Sequence, residues 1–180
     1  MVSVILAVLS YSLQIYFDFS GYSDIAIGCA KCLGYDFCPN FNLPYLSHNV
    51  TVFWRRWHIS LSTWLREYLY IPLGGNRKGK IRQYVNLFVT MLLGGLWHGA
   101  NWTYVAWGAL HGLYQIVENI IAEHRKKWGA VKPPRHPRLQ AAVQTLFTFA
   151  LVCFAYIFFR SDTFEQAWYI ISHSIRGWGA

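Results

Sequence analysis

The 180-residue chain is 54% hydrophobic, 18% aromatic and only 13% charged. Soluble domains carry about 25% charged residues, so the composition argues against a soluble globule and for one membrane-embedded domain over residues 1–180. The net charge of +8 invites a nucleic-acid reading. Thirteen of the sixteen Lys and Arg, however, lie in residues 55–82 and 125–138, beside uncharged apolar runs. That is how cytoplasmic loops look under the positive-inside rule, so the expected partner is the lipid bilayer and not nucleic acid.

Residues 1–17 are uncharged and close to the shortest length that spans a bilayer. Asp18 follows, with Asp24 six residues on. Acids bordering a membrane run are functional candidates, or they cap a following helix. Residues 25–34 read as a short second helix ended by Gly34. Pro39, Asn40, Asn42 and Pro44 then make a loop.

Asn49 or Thr51 is placed to cap a helix that runs to Pro72. On a wheel of roughly 100° per residue, Phe53, Trp54, Trp57, His58, Leu61, Trp64, Leu65, Tyr68 and Leu69 share one half of it. His58 is the only polar member of that face. Such a helix suits the membrane interface. Gly74-Gly75-Asn76 is a turn, and a basic loop follows it.

Tyr84 to Val117 holds no charge. Gly99-Ala100-Asn101 divides this run into a hairpin with arms 83–98 and 102–121, whose outer ends both meet basic stretches. Residues 122–138 read as a polar, Pro-rich connection. Residues 139–159 are the clearest spanning helix, and 163–175 an interfacial amphipathic one. The expected fold class is therefore all-α, a polytopic transmembrane bundle with interfacial helices. The chain is expected to be a fragment of a longer membrane protein.

Asp18, His58, His98 and His111 are polar groups in apolar surroundings. Histidine suits general-base work near neutral pH, and burial favours the neutral form that a base needs. Zinc takes three or four ligands, usually with a pair at i,i+3 or i,i+4. Cys29/Cys32 is the only such His or Cys pair, so no metal is expected and the cysteines are read as small buried hydrophobes. Gly74–Lys80 lacks the G-K-[ST] ending of a phosphate loop, and no G-x-S-x-G elbow occurs. What remains is a membrane-embedded histidine acting on a hydroxyl.

The runs Tyr16–Gly28, Phe53–Asn76, Gly95–Trp102, Trp107–Gly112 and Phe158–Arg160 resemble, in order, signatures of the membrane-bound O-acyltransferase family. The similarity is to the branch that contains the alginate O-acetyltransferase membrane subunit, and to the C-terminal part of its members. The resemblance implies a helical ring around a tunnel in a bacterial inner membrane, crossed several times. It implies O-acyl transfer, most simply of acetyl, to hydroxyls of an exported polysaccharide. His98 of Trp-His-Gly corresponds to the family's catalytic base, and His58 of Arg-Trp-His to its second tunnel histidine. Asp18, Trp54, Trp57, Trp97, Asn101 and His111 are the accompanying tunnel or supporting candidates. No bound cofactor is implied. Acetyl-CoA or another activated acyl carrier would be co-substrate, and the acceptor a polysaccharide or a periplasmic or extracellular acyl-accepting protein. D-alanyl transfer to teichoic acid and a non-catalytic export scaffold are the alternative readings. Val52 stands where many relatives carry Glu, and Glu67 where many carry Asp.

Overall fold

The computed structural model describes residues 2–129 and 136–176, and every regular element among them is helical. Part of the 122–138 connection and residues 177–180 lie outside the described residues.

Helix α1 runs without a break from Val2 to Cys32. The expected division at Asp18–Asp24 is absent. Asp18 and Asp24 both sit on exposed faces, where a carboxylate interrupts neither packing nor the backbone ladder, so neither caps a helix. The end at Gly34 is as expected. Gly34 has φ +83°, Gly34 N–H donates to Lys31 O and Tyr35 N–H to Ala30 O, which is a Schellman closure. Cys29, Cys32 and Cys38 are exposed and only Cys153 is buried. The account of cysteines as core hydrophobes therefore holds for Cys153 alone.

The single helix expected to run from an Asn49 or Thr51 cap to Pro72 is two helices. Helix α2 spans Val50–Arg56, and α3 spans Ile59–Leu65 and continues as a π turn, Arg66–Tyr70. Asn49 caps α2 by accepting Val52 N–H at 2.7 Å. The Glu118 carboxylate also takes Thr51 N–H at 3.0 Å, which satisfies a further orphan donor of that first turn. Because the chain turns between α2 and α3, the apolar half of the wheel does not stay on one side. Phe53, Trp54, Trp57 and Leu65 are buried, whereas Trp64 and Tyr68 are exposed and stack on each other.

Helices α4 (Lys80–Trp97) and α5 (Trp102–Lys127) form the expected hairpin. Helix α5 extends six residues beyond the expected arm, through the charged segment 122–127, since nothing before Gly129 breaks it. The two helices meet backbone to backbone at Gly95 and Gly108, where a Cβ on Gly108 would lie 2.4 Å from Met91 O. Gly108 and Gly112 form a small-x-x-x-small pair, the pattern that lets apolar helices approach closely. At the far end Lys80 pairs with Glu123, so the basic ends of both arms lie together.

Helix α6 (Pro137–Arg160) and α7 (Phe164–Arg176) complete the chain. Among the described residues two helices, α1 and α6, are long and apolar enough to cross a membrane. The core joins α2, α5 and α6 around Phe53, Trp54, Trp57, Trp107, Val152 and Tyr156.

Candidate functional site

The break between α2 and α3 falls on His58, which has φ 44° and ψ 56°. A non-glycine residue in this left-handed region costs roughly 1–2 kcal/mol, so the surroundings must hold it. They do so by pairing the backbone on both sides. Asn42 N–H donates to Arg56 O at 2.9 Å, Ile59 N–H to Asn40 O at 2.9 Å and Ser62 N–H to His58 O at 2.9 Å. Ser62 Oγ–H donates to Trp57 O at 3.2 Å. Trp57 is fixed by aromatic neighbours on three elements: Phe41 at 5.0 Å, Phe53 at 5.5 Å and Tyr156 at 5.9 Å between ring centroids.

His98 arrives from the other direction, as the residue that ends α4. The hairpin turn after it is closed by Asn101, whose side chain accepts Thr103 N–H at 3.1 Å and donates to Asp162 O at 2.8 Å. The His98 ring is gripped by Trp97 at 5.1 Å, Trp107 at 5.2 Å and Phe159 at 5.1 Å. Edge-to-face contacts of this kind orient a ring beyond what area burial does.

His58 and His98 line one cavity of about 540 Å³. Its wall also takes Tyr11, Gln14 and Asp18 from α1, Trp57 and Trp97 beside the histidines, and Tyr156 and Phe159 from α6. Trp97 packs against both imidazoles, its ring centroid 6.3 Å from His58 and 5.1 Å from His98. Burial, and secondarily the charge of His98, push the His58 pKa down to about 4. The His58 imidazole is therefore neutral at pH 7 and able to accept a proton. The rest of the wall is mainly aromatic, with Tyr11, Gln14, Asp18 and Tyr156 as its other polar groups.

The structure thus gathers Asp18, Trp57, His58, Trp97 and His98, and leaves Trp54, Asn101 and His111 outside the cavity wall. Trp54 points the other way along the break. Its Nε1–H donates to His111 Nδ1 at 3.2 Å, and it lines a separate cavity of about 310 Å³ with Arg55, Arg66 and Gln115. His111 is fully buried and accepts at Nδ1, which leaves the proton on Nε2. It packs at 5.0 Å on Trp107, one layer behind His98. Asn101 serves the turn.

Tyr11, Gln14 and Tyr156 belong to the wall but were not singled out from the sequence, and Phe159 only as part of the Phe158–Arg160 signature. Aromatic residues in a spanning run carry no sign of which neighbour they face. Gln14 alone, a polar residue inside an uncharged run, offered a signal.

Residues 1–160 match MBOAT, the membrane-bound O-acyltransferase family. The chain is 50% identical over 163 residues to the "Probable alginate O-acetylase AlgI" of Pseudomonas aeruginosa, covering 91% of this chain and 29% of that protein. It is 45% identical to the peptidoglycan O-acetyltransferase of Helicobacter pylori, over 88% of this chain and 29% of that one. It is 31% identical to the teichoic acid D-alanyltransferase of Bacillus subtilis, over 90% and 42%. The chain spans less than a third of the length of the first two. A family match over 160 residues, joined to two histidines meeting in one aromatic cavity, establishes that the chain belongs to the membrane-bound O-acyltransferase family.

Proposed function

We propose that this chain supplies the histidine-lined reaction chamber of a bacterial membrane O-acyltransferase that moves an acyl group, most simply acetyl, onto hydroxyls of an exported polysaccharide such as alginate. One observation carries the proposal: His58 and His98, forty residues apart in sequence, face one cavity lined by aromatic rings.

In this reading His98 takes the proton of the attacking hydroxyl. The freed oxygen adds to the acyl carbonyl of the donor, and the tetrahedral intermediate collapses to the ester. The proton then passes from the imidazolium to the departing thiolate of acetyl-CoA or of another acyl carrier. His58, across Trp97, orients donor or acceptor. The acceptor is a polysaccharide or an acyl-accepting protein on the periplasmic side. Helices α1, α6 and the α4–α5 hairpin cross the bacterial inner membrane, and α7 lies at its surface. The two O-acetylating relatives stand at 50% and 45% identity and the D-alanylating one at 31%, which favours acetyl.

The test is made in the full-length protein, in cells lacking any other copy, by measuring ester-linked acyl groups on the exported glycan. His98→Gln keeps a hydrogen-bonding side chain but takes up no proton, so transfer falls by about 10²–10⁴-fold at an unchanged membrane level. Transfer above roughly a tenth of wild type would refute the base assignment and leave the scaffold reading standing.

A further inference from the structure

Asn40 lies outside the cavity, in the loop after α1, yet both α1 and α3 bond to it. Its backbone oxygen accepts Ile59 N–H at 2.9 Å. Its Oδ1 accepts Ser60 N–H at 3.1 Å and Ser60 Oγ–H at 3.0 Å. Its Nδ2 donates to Ser23 Oγ on α1 at 3.3 Å. Ser23 is buried and lies one turn beyond Phe19, which packs edge-on against the His58 ring at 4.6 Å.

The first two N–H groups after His58 are both orphan donors of a helix start, and both end on Asn40. No side chain of α3 caps its own N-terminus. His58 itself is in the left-handed conformation, which a local sequence without glycine does not hold unaided. The loop therefore does from a distance what a capping residue does locally. It also ties that helix start to the α1 face that forms the opposite wall of the cavity.

We infer that Asn40 is a positioning residue for the acyl-transfer site: it fixes the left-handed turn at His58 and, through Ser23, the distance from the His58 ring to α1. The inference rests on the proposed role of the cavity. Removing the Asn40 side chain leaves its backbone bond to Ile59 intact but frees Ser60 and Ser23, so α3 can rotate and His58 can leave its place. Misplacement of this kind, on the order of 1 Å, costs about 10²-fold.

The experiment uses full-length protein in membranes, with glycan acylation normalised to protein level and the Tm of the solubilised protein read in parallel. Asn40→Ala lowers kcat/KM by about 10- to 100-fold with Tm little changed. Asn40→Asp, which keeps the acceptor for both Ser60 groups, recovers most of the activity. Asn40→Ser, which cannot reach Ser60 and Ser23 together, loses a smaller but measurable share and serves if the alanine protein fails to reach the membrane. In a His58→Ala background, Asn40→Ala costs nothing further, because the two residues act as one unit.

Equal losses in both backgrounds, or alanine and aspartate proteins equally impaired, would overturn the inference. So would an alanine protein as active as wild type beside an impaired His58→Ala. A fully active His58→Ala protein would instead refute the role given to His58 in the proposed function.

Discussion

Gly108→Ala tests how closely the hairpin sets the chemistry. A Cβ at Gly108 would lie 2.4 Å from Met91 O and 3.2 Å from both Cα and N of Gly95, while real Cβ contacts do not fall below 3.0 Å. The obstacles are backbone atoms of α4, so no side chain can swing aside. The helices must part by at least roughly half an ångström, and such overpacking costs about 1–3 kcal/mol. Alanine's better helix propensity offsets about 0.5–1 kcal/mol of that. A net loss of about 1 kcal/mol corresponds to a fall of about 2–4 °C in Tm for 180 residues and to less in the longer full-length protein. The activity loss is larger, because the neighbouring Trp107 holds the His98 ring at 5.2 Å and 87°; a displacement on the order of 1 Å costs about 10²-fold. Acylation and Tm of the detergent-solubilised full-length protein measure both effects. Gly21→Ala and Gly28→Ala are the controls: nothing lies within 4 Å of either Cβ, so both keep activity and gain slightly in Tm. A Gly108→Ala protein with wild-type Tm and wild-type acylation would refute the close-approach argument.

Three further outcomes follow from the site and the hairpin. Since burial lowers the His58 pKa to about 4, that imidazole stays neutral well below pH 6.5. His58 therefore adds no acid limb to kcat/KM near the ordinary imidazole pKa, and a limb at or above 6.5 that is lost in His58→Ala would contradict its burial. Single cysteines placed at Lys78 and at Lys126 label from the same side of intact cells, because Lys80 and Glu123 join those two ends; labelling from opposite sides would rule out the hairpin. Cys29→Ser/Cys32→Ser retains transfer and metal content, as no third His, Cys, Asp or Glu joins the two thiols among the described residues; loss of bound zinc in that protein would show a metal site there.

The parts that were legible in the sequence depend on local signals. Helix α6 was readable as a long uncharged run, the hairpin from Gly99-Ala100-Asn101, and the start of α2 from Asn49. The parts that were not depend on what the chain meets later. Asp18 and Asp24 look like boundaries, but on an exposed face of α1 they interrupt nothing. The break at His58 has no glycine or proline to announce it, since the residue that enforces it is Asn40, eighteen positions upstream. That hidden break also misplaced Trp54. A single continuous helix would put Trp54 and His58 on one face, whereas the turn sends Trp54 to His111 and His58 to the cavity.

The cavity wall is also a timetable. Both histidines precede residue 100, but Tyr156 and Phe159, which close the chamber, sit on α6. A ribosome adding about 5–20 residues per second delivers the two bases several seconds before the last wall. During that interval the two imidazoles face an open aromatic groove. The chamber that surrounds them is complete only once α6 has been made and packed.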